Sequence, residues 1–457
     1  MNYTVIGAQK SGVAAALLAK RKGHNVFLTE LKEKEKCEEN YNTLIKNGIE
    51  CEFGKNSLDS LNNCDCVITS PGVPPTAPIL LEAEKRNIKI ISEMEFARTF
   101  CEKNPLIAIT GTNGKTTTTT LTAYILNQSG KNAITVGNIG MPLSAMVEEL
   151  DQDTIIVAEL SSYQLDRTDT FRPDVAMILN ITPDHLAYHG TMENYVEAKC
   201  KIFSNMSHNN LLILGADDAA TSACSKLFGG HTAWFSMEKQ LFNEDSVREG
   251  AYNHGGAMKI VLSADPDSAD RHEEEIMLFD DIRLPGIHNA YNSMAAAIAA
   301  RAFEVSNEDI RDALMAFEGV DHRLEFVRSV DGVDFINDSK ATNINSSWYA
   351  LSSYKKKIVW IAGGRGDSND YSQLDKVVED HVKSIIAIGE EADNIFNHFC
   401  SHKRCIKADS LCQAVELAKI EADKSNVVVF TPACKSFDMF MNFEHRGEAF
   451  KECVNKL

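Results

Sequence analysis

The sequence predicts an α/β protein of three successive domains, each wound around a mainly parallel sheet. Three observations predict it. Apolar runs of strand length recur along the 457 residues, helix-like segments separate them, and nearly every run ends in a polar or glycine-bearing turn. One core cannot organise a chain of this length, and the expected divisions are 1–100, 101–319 and 320–457, with a linker near Glu318-Gly319.

In the first segment, Tyr3-Thr-Val-Ile-Gly7 reads as a strand and Val13 to Lys22 as an alanine- and leucine-rich helix. Asn25-Val-Phe-Leu-Thr29 is a second strand, closed by Glu30, and Cys66-Val-Ile-Thr69 is another, running into Ser70-Pro71-Gly72. This is a Rossmann-like alternation. Its first turn, Gly7-Ala-Gln-Lys-Ser-Gly12, has Gln9 where the middle glycine of a dinucleotide fingerprint belongs. That speaks against a nicotinamide cofactor and for another nucleotide-diphosphate group held at the helix N-terminus by Lys10 and Ser11.

The second segment opens with Pro105-Leu-Ile-Ala-Ile109, a buried strand, followed by a helix to about Gln128. Strands follow at Thr154 to Ala158, Val175 to Leu179 and Leu211 to Leu214, and Ala290 to Ala302 is helical. The stretch from about Gly229 to Asp281 is polar and glycine-studded and reads as irregular β-structure or an embellishment. The third segment repeats the alternation with strands at Val333 to Ile336, Ile358 to Ala362, Ile385 to Ile388 and Val427 to Phe430. Lys32-Glu-Lys-Glu-Lys36 reads as a solvated helix face.

Composition narrows the function. Lys and Arg number 46 against 65 Asp and Glu, a net charge of −19, which disfavours nucleic acid or an anionic membrane as a partner. No stretch is apolar enough to span a bilayer, and the N-terminus enters a strand without a signal-like leader, so a cytoplasmic protein is expected. The twelve cysteines lack framework spacing and read as free thiols.

The chemistry is concentrated at Gly111-Thr112-Asn113-Gly114-Lys115-Thr116-Thr117, between a strand and a helix. Backbone N–H groups in such a turn wrap phosphate and the helix dipole favours its charge. Lys115 reaches outer phosphates and the Thr116 hydroxyl is placed for Mg²⁺. The standard loop wants a glycine where this chain has Ile109, so the loop is a shortened variant. ATP with magnesium is the expected ligand. Glu159, at a strand end of the same sheet, suits a magnesium ligand, and His185 follows the next strand. Lys199, Arg323 and Lys340 are candidate cations for phosphoryl transfer.

Taken together these residues resemble the Mur ligase family of ATP-dependent amide-forming enzymes. The carrying motifs are Gly111-Thr-Asn-Gly-Lys-Thr116, Glu159-Leu-Ser-Ser162, Asn180-Ile-Thr-Pro-Asp-His185, Ala198-Lys199, His288-Asn289 with Asn292, and His322-Arg323. The third segment adds Asn337-Asp-Ser-Lys-Ala-Thr-Asn343, Thr431-Pro-Ala-Cys-Lys-Ser-Phe-Asp438 and Asn442-Phe443-Glu-His-Arg-Gly447. The resemblance implies an N-terminal Rossmann-like UDP-binding domain, a central P-loop-type ATPase domain and a C-terminal Rossmann-like domain. It implies the substrates UDP-N-acetylmuramoyl-L-alanine and D-glutamate, an acyl phosphate, and closure of the domains to assemble the site. Thr116, Glu159, His185 and a carbamylated Lys199 are then the metal group. Asn289 and Asn292 meet adenine, and Asp338 and Arg323 meet the ribose and phosphates. Lys10, Ser11, Glu30, Ser70, Gly72 and Asn138 meet the UDP substrate. Lys340, Thr342, Ser436, Phe437 and Phe443 frame D-glutamate and the transferring phosphate. A monomer is expected.

Two departures stand out. Asp367 occupies a place where the family usually has a basic residue near the D-glutamate carboxylate, with Arg365 two positions earlier as a substitute cation. Asp184-His185-Leu-Ala-Tyr188 lacks the Asp-Arg that often follows the histidine. Three other readings stay open on sequence: a sibling ligase for another amino acid, a nucleotide-binding regulator without catalysis, and a Rossmann dehydrogenase.

Overall fold

A computed structural model describes residues 1–243, 246–263, 272–284, 286–367 and 369–457. They fall into two compact units, one of Met1–Ile282 with Tyr291–Met315, the other of Arg283–Ala290 with Ala316–Leu457.

The first unit holds two large sheets. Strands β1 (Asn2–Ile6), β2 (Asn25–Glu30), β3 (Glu50–Phe53), β4 (Cys66–Thr69) and β5 (Lys89–Ser92) pair in parallel in the order β3-β2-β1-β4-β5. Val5, Leu28 and Ile68 lie fully buried with Ala15 and Leu18 of the helix Lys10–Arg21. β3 and β5 escape the sequence pattern because they are short and half polar, with Glu50, Glu52 and Lys89 among their residues.

The second sheet is built on β6 (Leu106–Thr110), β7 (Ala133–Gly137), β8 (Ile155–Glu159), β9 (Val175–Ile178), β10 (Leu211–Gly215) and β11 (His231–Ser236). β12 (Phe242–Asn243) and β13 (Ser246–Val247) pair only with each other, whereas β14 (Gly250–His254), β15 (Ala257–Val261) and β16 (Glu274–Leu278) extend the large sheet. Its order is β16-β15-β14-β11-β10-β9-β6-β8-β7, parallel from β7 to β14 and antiparallel beyond. The region expected to be irregular or an embellishment is therefore in large part a continuation of the sheet, with residues 244–245 and 264–271 of it outside the described residues. β6 and β8 are buried at every residue, as a sheet covered on both faces requires.

Buried carboxylates pin the two sheets together. The helix Glu93–Arg98 follows β5, and Glu93 Oε1 accepts from the Ser144 N–H at 2.6 Å. Glu95 accepts from the Thr170 N–H at 2.8 Å, the Thr170 hydroxyl at 2.6 Å and the Phe171 N–H at 2.9 Å. Arg21 and Lys22 both bind Glu148 at the rim.

In the second unit, β17 (Glu325–Val330), β18 (Val333–Asn337), β19 (Lys357–Gly363), β20 (Val382–Ile388), β21 (Arg404–Ala408) and β22 (Asn426–Phe430) form the order β17-β18-β22-β19-β20-β21. Only β17 runs antiparallel. β22, last in sequence, is inserted between β18 and β19, so the loops after these three strands lie side by side. Trp360 is fully buried and donates its indole N–H to the Thr431 carbonyl at 2.8 Å.

One sequence expectation is corrected here. Cys412 and Cys453 are joined as a disulfide, their Cα atoms 5.0 Å apart, because the helices Leu411–Glu421 and Phe443–Asn455 pack together; the other ten cysteines are free thiols. Among the described residues no helix is long and apolar enough to cross a membrane.

Glu95→Leu leaves the buried Phe171 N–H, and the Thr170 N–H and hydroxyl, without their carboxylate acceptor. Unfolding monitored by urea titration should show a loss of roughly 3 kcal/mol in the first unit's transition. A change within about 0.5 kcal/mol would show that Glu95 does not hold the sheets together.

Candidate active site

The phosphate loop is shaped before any ligand arrives. Gly114 caps the helix Lys115–Gln128 with φ 85°, and a Cβ there would meet the Asn292 Oδ1 at 2.4 Å, so only glycine fits. Asn180 clasps the loop from the end of β9. Its carbonyl accepts from the Thr112 N–H at 2.9 Å, its Oδ1 accepts from the Asn113 N–H at 2.8 Å, and its Nδ2 donates to the Asn113 carbonyl at 3.0 Å. The Thr112 hydroxyl donates to the Thr182 carbonyl and lies 3.1 Å from the Tyr195 hydroxyl.

Two lysines converge on one carbonyl. Lys115 Nζ donates to the Gly111 and Thr112 carbonyls at 2.7 and 2.8 Å, and Lys199 Nζ donates to the Gly111 carbonyl at 3.0 Å. Lys199 is 1% exposed and sits 4.5 Å over the Tyr195 ring. Burial, and then the charge of Lys115, hold its pKa well below the usual lysine range. Thr116 and Thr117 are buried in the first helical turn, and the Thr117 hydroxyl has no hydrogen-bond partner among the described residues.

Glu159 closes β8, paired in register with Ile109 of β6 and Gly137 of β7. Its Oε1 accepts from Asn138 Nδ2 at 2.8 Å, while its Oε2 is buried without a partner among the described residues. An orphaned buried carboxylate oxygen is costly unless a cation completes it, so the donor set fits a hard metal such as Mg²⁺. His185 has left-handed backbone (φ 55°) at the start of the helix Leu186–His189, and its ring lies 5.1 Å from that of Tyr163 and 6.5 Å from that of Tyr195. Among the described residues no three of His, Cys, Asp and Glu cluster as a metal centre.

In the N-terminal sheet, both carboxylate oxygens of Glu30 accept from backbone N–H groups. Its Oε2 accepts from the Ala8 N–H at 2.6 Å and its Oε1 from the Lys32 N–H at 2.8 Å, bracing the first turn. Gly12 packs against that turn so closely that a Cβ would reach the Gly7 carbonyl at 1.9 Å. The Ser70 hydroxyl donates to the Gly7 carbonyl at 3.4 Å, Ser11 is half-buried, and Lys10 and Gly72 are exposed. The helix Lys10–Arg21 has no acidic residue in its first turn and no side-chain cap, which leaves its N–H groups to an anion.

The second unit gathers its own set. Asp338 is buried, accepting from the Leu324 N–H at 3.2 Å and the Thr431 hydroxyl at 2.9 Å, and burial raises its pKa to about 6 against the pull of Arg323. Both neighbours of Arg323 have left-handed backbone, His322 with φ 63° and Leu324 with φ 46°. Such strain is concentrated at working sites. Lys340 lies 5.4 Å over the Phe443 ring, Thr342 is half-buried, Ser436 is buried and Phe437 is exposed. Asn289 and Asn292 are both buried, and the Thr118 hydroxyl donates to Asn292 Oδ1 at 3.2 Å.

Three residues without a role in the sequence reading organise these sets. Asn180 and Tyr195 hold the phosphate loop. Arg446 is buried beneath the loops after β18 and β22, donating to the Ser339 hydroxyl at 3.0 Å, the Ser339 carbonyl at 2.7 Å and the Cys434 carbonyl at 2.9 Å. Asn180 and Arg446 stand inside the motifs quoted above, whereas Tyr195 lies three residues before Ala198-Lys199.

The geometry can be compared with known proteins. Residues 1–92 match the family model "Mur ligase MurD-like, N-terminal domain", 109–300 "Mur ligase middle domain" and 322–434 "Mur ligase, glutamate ligase domain". A UDP-N-acetylmuramoylalanine--D-glutamate ligase of Chloroherpeton thalassium is 42% identical, covering 99% of this chain and 97% of that protein. Proteins of the same name from Acidobacterium capsulatum and Bacteroides fragilis are 41% and 38% identical, covering 98% and 99% of this chain and 95% and 99% of theirs. Among solved structures, MurC of Thermotoga maritima is similar with a TM-score of 0.58 at 21% identity, covering 100% of this chain and 99% of that one. MurF of Acinetobacter baumannii gives 0.60 at 18%, covering 94% and 91%. These structures share the fold.

Without nucleotide or magnesium, Glu159→Gln should leave the melting temperature unchanged or higher, while magnesium-dependent ATP turnover falls by about 100-fold or more. A melting temperature several degrees lower, or preserved turnover, would contradict the metal reading. Asp338 supplies a second expectation. Its pKa of about 6 lies above the usual 3.8, so the folded protein keeps a proton that the unfolded chain releases, and stability falls as pH rises across that window. Relative to Asp338→Asn, the wild type should lose on the order of 3 kcal/mol between about pH 4 and 6 and nothing further above it. Urea unfolding at stepped pH checks this, and a flat difference would contradict it.

Proposed function

The chain belongs to the Mur ligase family, and we propose that it is the member that joins D-glutamate to UDP-N-acetylmuramoyl-L-alanine with hydrolysis of ATP, in the cytoplasmic synthesis of peptidoglycan precursors. The observation that carries the reading is the site at the end of β6 and β8, where two lysines meet at the Gly111 carbonyl one strand from a buried, half-satisfied carboxylate. Such an arrangement gathers positive charge for a triphosphate and suits few other ligands. Identity of 38–42% to the named relatives over nearly the full length supports the choice of substrates.

The reaction follows from the groups. The carboxylate of the alanyl substrate attacks the γ-phosphorus of ATP, giving an acyl phosphate and ADP. The amine of D-glutamate attacks the acyl carbon, and phosphate leaves from the tetrahedral intermediate as the amide forms. Lys115 releases the loop carbonyls to take the phosphate oxygens, and the N–H groups from Gly114 to Thr116 wrap them. Thr116, Glu159, His185 and Lys199 would hold magnesium. Magnesium, when bound, neutralises phosphate charge and polarises the phosphorus for attack. Lys199, whose charged form burial disfavours, is an amine able to take up carbon dioxide as a carbamate, which converts it to an anionic ligand.

The helix N-terminus at Lys10 and Ser11, with Ser70 and Gly72, takes the UDP diphosphate, while Glu30 shapes that turn through Ala8 beside the UDP substrate. Asn138 meets the muramoyl group. Asn289 and Asn292 recognise adenine, and Arg323 and Asp338 the ribose and phosphates. Thr342, Ser436, Phe437 and Phe443 frame D-glutamate, with Lys340 beside the reacting carboxylate. The assembly proposed is a monomer.

Phosphate release from ATP with UDP-N-acetylmuramoyl-L-alanine and magnesium tests this with each amino acid in turn. Release is expected only with D-glutamate. Release with another amino acid would assign a sibling specificity, and ATP binding without release would leave a regulator.

A further inference from the structure

Resting on the D-glutamate reading above, we propose that Lys435 holds a carboxylate of the incoming D-glutamate and that Asp367 is its anchor. The amino acid brings two carboxylates, and the loop after β19 carries an acid where a cation is expected. The structure supplies that cation from the neighbouring loop: Lys435 Nζ lies 2.7 Å from Asp367 Oδ2.

The two loops are zipped together. The Arg365 N–H donates to the Lys435 carbonyl at 2.8 Å and the Lys435 N–H donates back to Arg365 at 2.9 Å. The Gly363 N–H donates to the Pro432 carbonyl at 2.9 Å, and Asn369 Nδ2 to the Ala433 carbonyl at 3.1 Å. Ala433 has left-handed backbone (φ 58°), an unusual conformation for alanine that turns the chain into Cys434-Lys435-Ser436. A Cβ at Gly364 would meet the Lys435 carbonyl at 2.4 Å, so the loops touch backbone to backbone. This is a built position for the Lys435 stem, beside the buried Ser436.

The other cations of this sheet edge are committed. Arg446 is buried and donates to Ser339 and Cys434. Arg365, the substitute expected from sequence, is held fork to fork by Glu390 at 3.0 and 2.8 Å, past the end of β20. Lys340 lies over Phe443. Lys435, by contrast, gives one hydrogen bond from its side chain among the described residues, and an ammonium has three N–H groups. It can therefore take a substrate carboxylate while Asp367 still holds it. The pair is largely exposed, 43% for Lys435 and 71% for Asp367, and such pairs add little to stability, so its use is positional. Charge at the mouth is conserved with the cation moved from one loop to the other.

Steady-state kinetics of the full-length protein tests this. Lys435→Ala should raise the KM for D-glutamate by about 10- to 100-fold, the loss of one charge-assisted hydrogen bond, with the KM values for ATP and the UDP substrate within about twofold. Adding Asp367→Lys to that variant returns a cation to the first loop and should recover most of the loss. An unchanged KM for D-glutamate in Lys435→Ala would overturn the assignment, as would an equal rise for all three substrates with a lowered melting temperature. Absence of D-glutamate-dependent turnover in the wild type would instead overturn the functional reading and the proposal with it.

Discussion

Two lysine Nζ groups on one peptide carbonyl are the constraint around which the first unit is arranged. Burial and the charge of Lys115 disfavour the charged form of Lys199, yet both lysines donate to Gly111, and the surroundings are shaped to keep them there. Asn180 fixes the loop's backbone, Tyr195 places its ring under Lys199 and its hydroxyl at Thr112, and Gly114 lets Asn292 approach. Each of these contacts holds positive charge without neutralising it. A triphosphate can complete the site where a hydrophobic or neutral ligand could not. The unpaired oxygen of Glu159 is the matching deficit of opposite sign, stored one strand away. Stability is given up at both points in exchange for a preorganised field.

The N-terminal sheet answers a different demand on the same fold principle. A Rossmann-like turn offers helix N–H groups to an anion, and an acid at the end of the second strand can read a ribose. Here Glu30 accepts from the Ala8 N–H and so braces the turn that carries the anion site. Gln9, where the fingerprint's middle glycine belongs, is what speaks against a dehydrogenase. Glu93 and Glu95 then add directed hydrogen bonds to the apolar core that this sheet shares with the next, which gives the pairing a defined orientation.

Much of this was legible in the sequence because the informative residues are local. Strands such as Leu106–Thr110 and Val427 to Phe430 are continuous apolar runs ended by glycine or proline turns, and the phosphate loop is contiguous. What escaped was non-local. β14 to β16 are short, mix polar and apolar residues without a strand's alternation, and join antiparallel to one another at the end of the sheet, so their pattern resembles loop. Glu93 and Glu95 look like surface charges until Ser144 and Phe171 come near them. The same holds for Asp367, which reads as a lost cation until Lys435, 68 positions away, is seen beside it. Cys412 and Cys453 are likewise paired by helix packing and not by spacing.

The central claim is that ATP activates the alanyl carboxylate as an acyl phosphate. Labelling that carboxylate with ¹⁸O and analysing the phosphate released during turnover with D-glutamate tests it most directly. The account predicts one ¹⁸O in each phosphate, because the oxygen that attacks phosphorus leaves with it when the amine attacks carbon. Unlabelled phosphate would contradict it and place ATP cleavage outside the amide-forming chemistry.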